Sequence, residues 1–249
     1  MTKTALVTGA AKRIGRAIAI ALARAGYDIG VHYGRSRDDA LLLVSELEAL
    51  GVRAHALACD LNDVAGVSGL IDEARAVLGP LDVLVNNASV FADDRARTLS
   101  IDSWQMHMDT NLLAPVLLSQ AFAAQADIRS GASIINMIDQ RVLKPSPPFF
   151  SYSMSKAGLW HATRTLAQAL APNIRVNAVG PGPTLKSIHQ SEADFAREAR
   201  STLLQKPTSP EEVAAAVIYL LNAPSVTGQM ICVDSGQHLG WRTIDMLDL

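Results

Sequence analysis

Cysteine is nearly absent: 249 residues hold only Cys59 and Cys232, both inside apolar runs. Two such thiols make no disulfide framework, and they read as reduced core residues of a cytoplasmic protein. Histidine is scarce too. The six residues form no HxxxH pair and no Cys/His cluster, so there is no pattern for a structural zinc or other metal site. An excess of one charge sign is missing: 22 Lys and Arg stand against 24 Asp and Glu, a net charge of -2. That balance supplies no general field for nucleic acid or an anionic membrane. Long hydrophobic runs are missing as well. The longest uncharged stretch, Val213 to Val233, is broken by Asn222, Pro224, Ser225, Thr227, Gly228 and Gln229. It reads as helix, turn and strand rather than a membrane span. Met1 to Gly9 holds one lysine and a short apolar run, too short for the core of a signal peptide.

What is present is a chain able to bury a large core, with 49% hydrophobic and 18% charged residues. Short β-type runs alternate with helical ones. Strands are predicted at Thr4–Thr8, Ile29–Tyr33, Ala54–Cys59 and Leu81–Val85. Between them, helical spacing links Ile14, Ile18, Leu22 and Ala25, then Ala40, Leu43, Leu47 and Leu50, then Val67, Leu70, Ile71, Ala74 and Leu78. A helix is predicted over Ser103–Ala126, a strand over Ser133–Met137, a helix over Ser151–Ala171 and a strand over Ile174–Val179. Ser209-Pro210-Glu211-Glu212 is a capping box with proline at the first helical position. It opens a helix carrying Val213, Val217, Leu220 and Leu221, and Met230–Val233 is a last strand. Strands separated by single helices imply one α/β domain over residues 1–249. Its expected form is a doubly wound, Rossmann-type parallel sheet of about seven strands with helices on both faces.

The first strand runs into Thr8-Gly9-Ala10-Ala11-Lys12-Arg13-Ile14-Gly15 and then a helix. Gly9 suits a tight turn, Gly15 suits close helix–strand approach, and the helix N-terminus faces a pyrophosphate. NAD sites place a carboxylate at the end of the second strand. This strand ends His32-Tyr33-Gly34-Arg35-Ser36-Arg37, and a guanidinium with a hydroxyl suits a 2′-phosphate, so NADP(H) is favoured. Arg35 and Arg37 have an alternative as loop charges paired with Asp38 and Asp39, which is the better reading for Arg37. Asp60 stands either near the adenine or as a helix cap.

Tyr152 and Lys156 lie four apart on one helix face, where an ammonium lowers a phenol pKa toward useful proton transfer. Their helix follows the strand that leads to Asp139. Asn86-Asn87-Ala88 and Gly180-Pro181-Gly182 converge on the same carboxyl edge of the sheet. With Asn111 and Val233-Asp234, this set resembles the short-chain dehydrogenase/reductases over nearly the whole chain. The resemblance implies Tyr152 as proton donor, Lys156 on the nicotinamide ribose, Asn111 holding a relay water, and a homotetramer. It places further cofactor contacts on Arg13, Ile14, Tyr33, Leu61, Asn87, Ala88, Pro181 and Gly182.

Two departures narrow the resemblance. Arg13 stands where the superfamily usually has glycine, and Asp139 stands thirteen before the tyrosine, where serine is usual. Both are similar to the pteridine reductases, as are His32 to Ser36 and the run Asn86 to Phe91 with Ser89. That branch implies that Phe91 stacks on a pterin opposite the nicotinamide, and that Arg13 and Ser89 bind pterin and cofactor phosphate. Ser235 to Leu239 and Gly182 to Lys206 resemble its dihydromonapterin reductases. Chemistry points the same way. A ketone reductase stabilises an alkoxide and is opposed by a carboxylate, whereas reducing a pterin C=N bond needs a ring-nitrogen proton, which Asp139 and Tyr152 can deliver. Phe91 offers a flat substrate an aromatic face.

Plainer roles exist for each. Arg13 can pair with a surface acid, Phe91 can be core under a loop, and Asp139 can cap a turn before Gln140. The segment 182–206 reads as a lid, a surface helix with charge pairs, or both. Trp241 and Arg242 read as interface residues. The expected activity is NADPH-dependent reduction of a dihydropterin such as dihydrobiopterin or dihydromonapterin, with dihydrofolate a further candidate. Its rivals are a 3-oxoacyl-type carbonyl reductase and a non-catalytic NADP-binding sensor.

Overall fold

Parallel strands covered on both faces lose the apolar–polar alternation and become continuous apolar runs. The central strands show this. In the computed structural model, which describes residues 2–125 and 131–241, β4 (Val83–Asn86) and β5 (Ala132–Met137) are buried at every position. β1 (Lys3–Val7) is buried after its first residue. With β2 (Tyr27–Tyr33), β3 (Ala54–Ala58), β6 (Ile174–Pro181) and β7 (Met230–Val233) they form one seven-stranded sheet. Its order is β3-β2-β1-β4-β5-β6-β7, parallel throughout. The chain winds outward from β1 in one direction and from β4 in the other. The crevice beyond the carboxyl ends of these two strands is therefore the topological switch point, where such sheets receive ligands.

Helices cover both faces. On one lie α1 (Arg13–Arg24), α2 (Arg37–Ala49) and α9 (Pro210–Leu221), which bury Ile18, Leu22, Leu43, Leu47, Val213 and Val217. On the other lie α4 (Gly69–Leu78), α6 (Ala114–Ala123) and α7 (Phe150–Leu170), which bury Leu70, Ile71, Leu118, Phe122 and Ala167. Short α3 (Val64–Val67), α5 (Ile101–Met108) and α8 (Glu192–Arg200) complete the set. The capping box at Ser209 forms as its spacing predicts: Ser209 Oγ accepts from Glu212 N, and Glu212 returns a bond to Ser209 N. Among the described residues no helix is long and apolar enough to cross a membrane.

Element ends differ from the expected ones mostly by one or two residues, but two helices differ in kind. The helix expected from Val67 is divided into α3 and α4 at Ser68, between Gly66 and Gly69, where backbone entropy weakens a helix. The helix expected over Ser103–Ala126 is α5 and α6 joined by a π-helical turn, Asp109–Leu113. Pro115 explains the break. It has no N–H for the Asn111 carbonyl four residues earlier, and its ring crowds that carbonyl, so the α-helical ladder cannot run through. α6 ends at Ala123, and residue 126 lies outside the described residues.

The turn after β1 is held by a histidine that sequence reading quotes only as part of a motif. His32 Nδ1 accepts from Gly9 N at 3.0 Å, and its Nε2–H donates to the Cys59 carbonyl at 3.0 Å. Buried His32 thus clamps the ends of β1, β2 and β3 together, and acceptance from Gly9 N requires the neutral ring. Burial lowers its pKa, against the smaller raising effect of the Cys59 bond. The unfolded chain binds a proton on His32 near pH 6.5 while the fold resists it, so its contribution is complete above about pH 6.5 and fades below. Melting temperature measured against pH should therefore fall more steeply below about pH 6.5 in the native protein than in His32→Gln. Equal slopes would remove His32 from the account.

Candidate active site

Two side chains lock the turn between β1 and α1 to the end of β4. Thr8 Oγ1 accepts from Asn87 N and Ala88 N at 2.9 and 3.0 Å. Asn87 Nδ2 donates to the Thr8 and Gly9 carbonyls at 2.8 and 3.2 Å. Gly9 is left-handed at φ 60°. At Gly15 a Cβ would lie 2.2 Å from the Gly9 carbonyl oxygen and 2.5 Å from Asn87 Nδ2, so no side chain fits there. This is the cradle expected of a pyrophosphate-binding turn. Ile14, Pro181 and Gly182 line the cavity beside it.

Arg13 also lines that cavity, in a left-handed conformation unusual for a non-glycine residue (φ 55°). Its guanidinium donates to the Leu185 and Lys186 carbonyls at 3.0 and 3.1 Å. It pairs with no surface acid among the described residues; it ties the glycine turn to the segment following β6.

At the end of β2, Tyr33 is half-buried and Arg35 exposed. The Asp39 carboxylate, one of the alternative partners for the loop arginines, is taken by Lys12 at 2.8 Å. Among the described residues no carboxylate pairs with Arg35 or Arg37. Ser36 is the N-cap residue of α2, without a side-chain cap bond. Asp60 closes the turn after β3: its Oδ1 accepts from Asn62 N at 3.0 Å and its carbonyl from Asp63 N at 2.9 Å. The N-cap of the following helix is Asp63, not Asp60. Leu61 is buried beside this turn.

The chemistry-bearing groups gather in the same cavity, of about 470 Å³. Tyr152 Oη donates to Asp139 Oδ2 at 2.8 Å. Asp139 Oδ1 accepts from Arg141 N at 2.8 Å, capping the short 3-10 turn Gln140–Val142. Asp139 therefore caps this turn and lines the cavity at once. Lys156 Nζ donates to the Met137 carbonyl at 2.8 Å. Burial raises the Asp139 pKa, against the opposing pull of Arg141 and its other partners. Burial lowers the Lys156 amine to about 8. Tyr152 departs from expectation: its pKa is pushed well above 10, by burial first and then by the Asp139 charge. Asp139 takes the phenol proton as a hydrogen bond and opposes tyrosinate, so proximity to Lys156 does not lower this phenol.

Asn111, in the π turn, clamps the loop after β4. Its Oδ1 accepts from Val90 N and Ser89 Oγ, and its Nδ2 donates to the Val90 carbonyl and Ser155 Oγ. The Asn111 side-chain amide is thus fully occupied with protein partners. The Asn111 backbone carbonyl is the one to which Pro115, four residues on, offers no N–H. Ser89 lines the cavity while holding Asn111.

Phe91 is not core. It lines the cavity with one face stacked on Phe149, centroids 4.1 Å apart, and its ring meets Tyr152 edge-on at 4.7 Å. Sequence reading missed Phe149, which holds a left-handed φ of 58° at the start of α7. It also missed Arg141, whose guanidinium lies 5.2 Å from the Phe149 ring, and His189, which donates to the Phe91 carbonyl at 3.1 Å. The only signal for Phe149 is the Pro147-Pro148 pair before it; nothing local marks the other two.

The segment 182–206 borders the cavity and also carries surface charge pairs. Leu185, Ser187, His189, Phe195 and Glu198 line the cavity. α8 also carries its own surface pair, Arg197 with Asp194, after a capping box at Ser191. Trp241 is half exposed; Arg242 lies outside the described residues.

Residues 3–196 match the family described as short chain dehydrogenase. A 3-oxoacyl-[acyl-carrier-protein] reductase, FabG, of Staphylococcus aureus is 34% identical over 244 residues, 96% of this chain and 99% of that one. Among solved structures, FolM alternative dihydrofolate reductase 1 from Brucella suis, in complex with NADP, is similar with a TM-score of 0.94 and 42% identity, covering 98% of both chains. A blue fluorescent protein from a metagenomic library, in complex with NADPH, gives 0.88 and 33%, over 94% of this chain and 97% of that one. Sheet order, glycine cradle, paired tyrosine and lysine, and this match over most of the chain agree: the protein belongs to the short chain dehydrogenase family and is one of its oxidoreductases.

Proposed function

We propose that the protein is an NADPH-dependent reductase of dihydropterins, with dihydromonapterin- and dihydrobiopterin-like compounds as its substrate class and dihydrofolate as a further substrate. The observation that carries this reading is the 2.8 Å hydrogen bond between Tyr152 and half-buried Asp139, in the cavity that Phe91 also lines. The cofactor fits the residues present. The Gly9/Gly15 cradle has no room for side chains, and Arg35 offers a guanidinium that no carboxylate neutralises among the described residues. FolM from Brucella suis, similar over 98% of both chains, was crystallised with NADP. NADPH, when bound, supplies the hydride for a pterin ring carbon.

The chain's own groups then have separate tasks. Arg35 and Ser36 hold the 2′-phosphate, and the turn from Gly9 to Gly15 holds the pyrophosphate. Tyr33, Asp60 and Leu61 border the adenosine end; Asn87, Ala88, Pro181 and Gly182 border the nicotinamide end. Lys156 holds the nicotinamide ribose. Tyr152 and Asp139 share one proton and present it to a ring nitrogen, which gives up the double bond to carbon as it takes the proton. Burial and the Asp139 charge raise the Tyr152 pKa, so the phenol still holds its proton near neutral pH. Asp139 also accepts from pterin N–H groups, and Phe91 covers the ring face. Asn111 serves the relay through its backbone carbonyl, its side-chain amide being spent on Ser89, Val90 and Ser155. Arg13 and Ser89 border pterin and cofactor phosphate, and the segment 182–206 closes over them as a lid that Arg13 already tethers.

The alternative, a 3-oxoacyl reductase, has the support of the FabG relative. Asp139 speaks against it, because a carboxylate beside the proton donor disfavours a developing alkoxide. NADPH oxidation with dihydromonapterin or dihydrobiopterin in one cell and an acetoacetyl thioester in another decides between them. Pterin turnover alone is expected; thioester turnover alone would overturn the reading. Tight NADPH binding with no turnover of either would leave the non-catalytic sensor.

Two substitutions test the assigned roles. Asp139→Ser should lower pterin turnover by about 10²-fold or more while NADPH affinity holds; an unchanged rate would remove Asp139 from the mechanism. Arg35→Ala should weaken NADPH by about tenfold or more and leave NADH nearly unaffected, as hydrogen bonds to a charged group imply. Equal losses would assign Arg35 elsewhere. By the family reading the protein assembles as a tetramer, with half-exposed Tyr219 and Trp241 as interface side chains. Sedimentation equilibrium at four times the 26.5 kDa chain mass is the expected result.

A further inference from the structure

Behind the cavity lies a buried polar cluster that the mechanism above does not use. Asp94, His107 and Ser151 are each buried, and none of them lines the cavity. They come from three places: the loop after β4, helix α5, and the first turn of α7. Asp94 Oδ1 accepts from Ser151 N at 2.9 Å, and Asp94 Oδ2 accepts from Ser103 Oγ at 2.7 Å and from Ser151 Oγ. The Asp94 carbonyl accepts from Phe150 N at 3.2 Å. His107 Nε2 accepts from Ala92 N at 3.1 Å. The ring proton is therefore on Nδ1, which lies 2.9 Å from the Ser103 carbonyl and 2.7 Å from Ser151 Oγ.

Two features give this cluster a purpose beyond filling space. First, α7 begins at left-handed Phe149, which makes no side-chain cap bond. Its first N–H groups need partners, and Asp94, 57 positions upstream, supplies them with a carboxylate suited to the positive end of the helix. Second, each anchoring point adjoins a site residue. Ala92 follows Phe91, and Ser151 precedes Tyr152. Those two rings meet 4.7 Å apart at 83°, and His107 itself packs against Tyr152 at 6.2 Å.

We propose that Asp94, His107 and Ser151 form a buried brace that sets the distance between the Phe91 face and the Tyr152 phenol, and so act as positioning residues for the reduction. The proposal rests on the pterin reading for the role of Phe91 but not for that of Tyr152. The charge states suit a static brace. Burial works against the Asp94 carboxylate, but its bonds to Ser151 and Ser103 together hold it below the ordinary carboxylate pKa. Burial, with a smaller push from Lys156 and against the pull of Asp94, keeps His107 neutral, as acceptance from Ala92 requires.

Ser151→Ala removes only the hydroxyl that joins His107 to Asp94, and alanine suits a helix's first turn. Its kcat for dihydropterin should fall on the order of tenfold to a hundredfold, the scale of a small misplacement, while KM and Kd for NADPH stay at wild-type values. Amide exchange at Ala92, which Ser151 does not touch, should quicken. In a Phe91→Ala background the Ser151→Ala effect on kcat/KM should shrink, because one of the two braced parts is gone. Strictly additive effects, an unchanged kcat, or parallel loss of NADPH binding would overturn the brace. Wild-type enzyme run alongside separates the two claims. If it reduces only the acetoacetyl thioester, the pterin reading falls and the kcat comparison is made on that substrate. If it reduces neither, exchange at Ala92 decides, and unchanged exchange sinks the proposal.

Discussion

An acid, a phenol and an amine share one crevice, and much of the structure is organised by what it takes to keep them there. Buried ionisable groups are costly unless each finds a partner. Asp139 has the Tyr152 hydroxyl on one oxygen and the Arg141 amide on the other. Lys156 is anchored to the Met137 carbonyl, the last residue of β5. The carboxyl end of one buried strand thus supplies both the acid and the acceptor for the amine, while α7 supplies the phenol and the amine four residues apart. Moving α7 by a fraction of a turn would break the Tyr152–Asp139 and Lys156–Met137 bonds together.

The cofactor half obeys a different constraint, that of close packing. Strand β1, helix α1 and the end of β4 approach until only glycine fits at position 15. Thr8, Asn87 and His32 fasten that turn with hydrogen bonds rather than charge. One half of the crevice is therefore rigid through absence of side chains and the other through satisfied polar atoms. Arg13 bridges them, reaching from the glycine turn to the carbonyls after β6.

The sequence displays the fold well because its signals are local. Apolar runs of β1, β4 and β5, helical spacing in α1 and α4, and the Ser209 capping box each need only a short window. Tyr152 and Lys156 are legible for the same reason, as one helix face. What escaped was contact between distant segments. Nothing near Asp94 says that it will cap a helix starting at residue 150, and nothing near Phe149 says that it will stack on Phe91. The sign of the Tyr152 shift is not legible in sequence, because the neighbouring lysine shows at i+4 whereas the burial that raises the phenol, with the Asp139 charge adding to it, comes from packing across the fold. The π turn, by contrast, was readable in principle from Pro115, whose missing N–H forbids the long continuous helix that periodicity suggested.

Phe149 carries one consequence of its own. Its left-handed backbone lays its ring against Phe91 at contact distance, so one side of the Phe91 aromatic surface is closed before any substrate arrives. A planar ring seated in this slot has a single platform to lie on and is pinned along one edge by Asp139. Turning it over would take that edge away from the carboxyl group. In the proposed reduction the two sides of the flat molecule are therefore inequivalent to the protein, and a prochiral carbon is expected to take its new hydrogen from one of them and leave the crevice with a defined handedness.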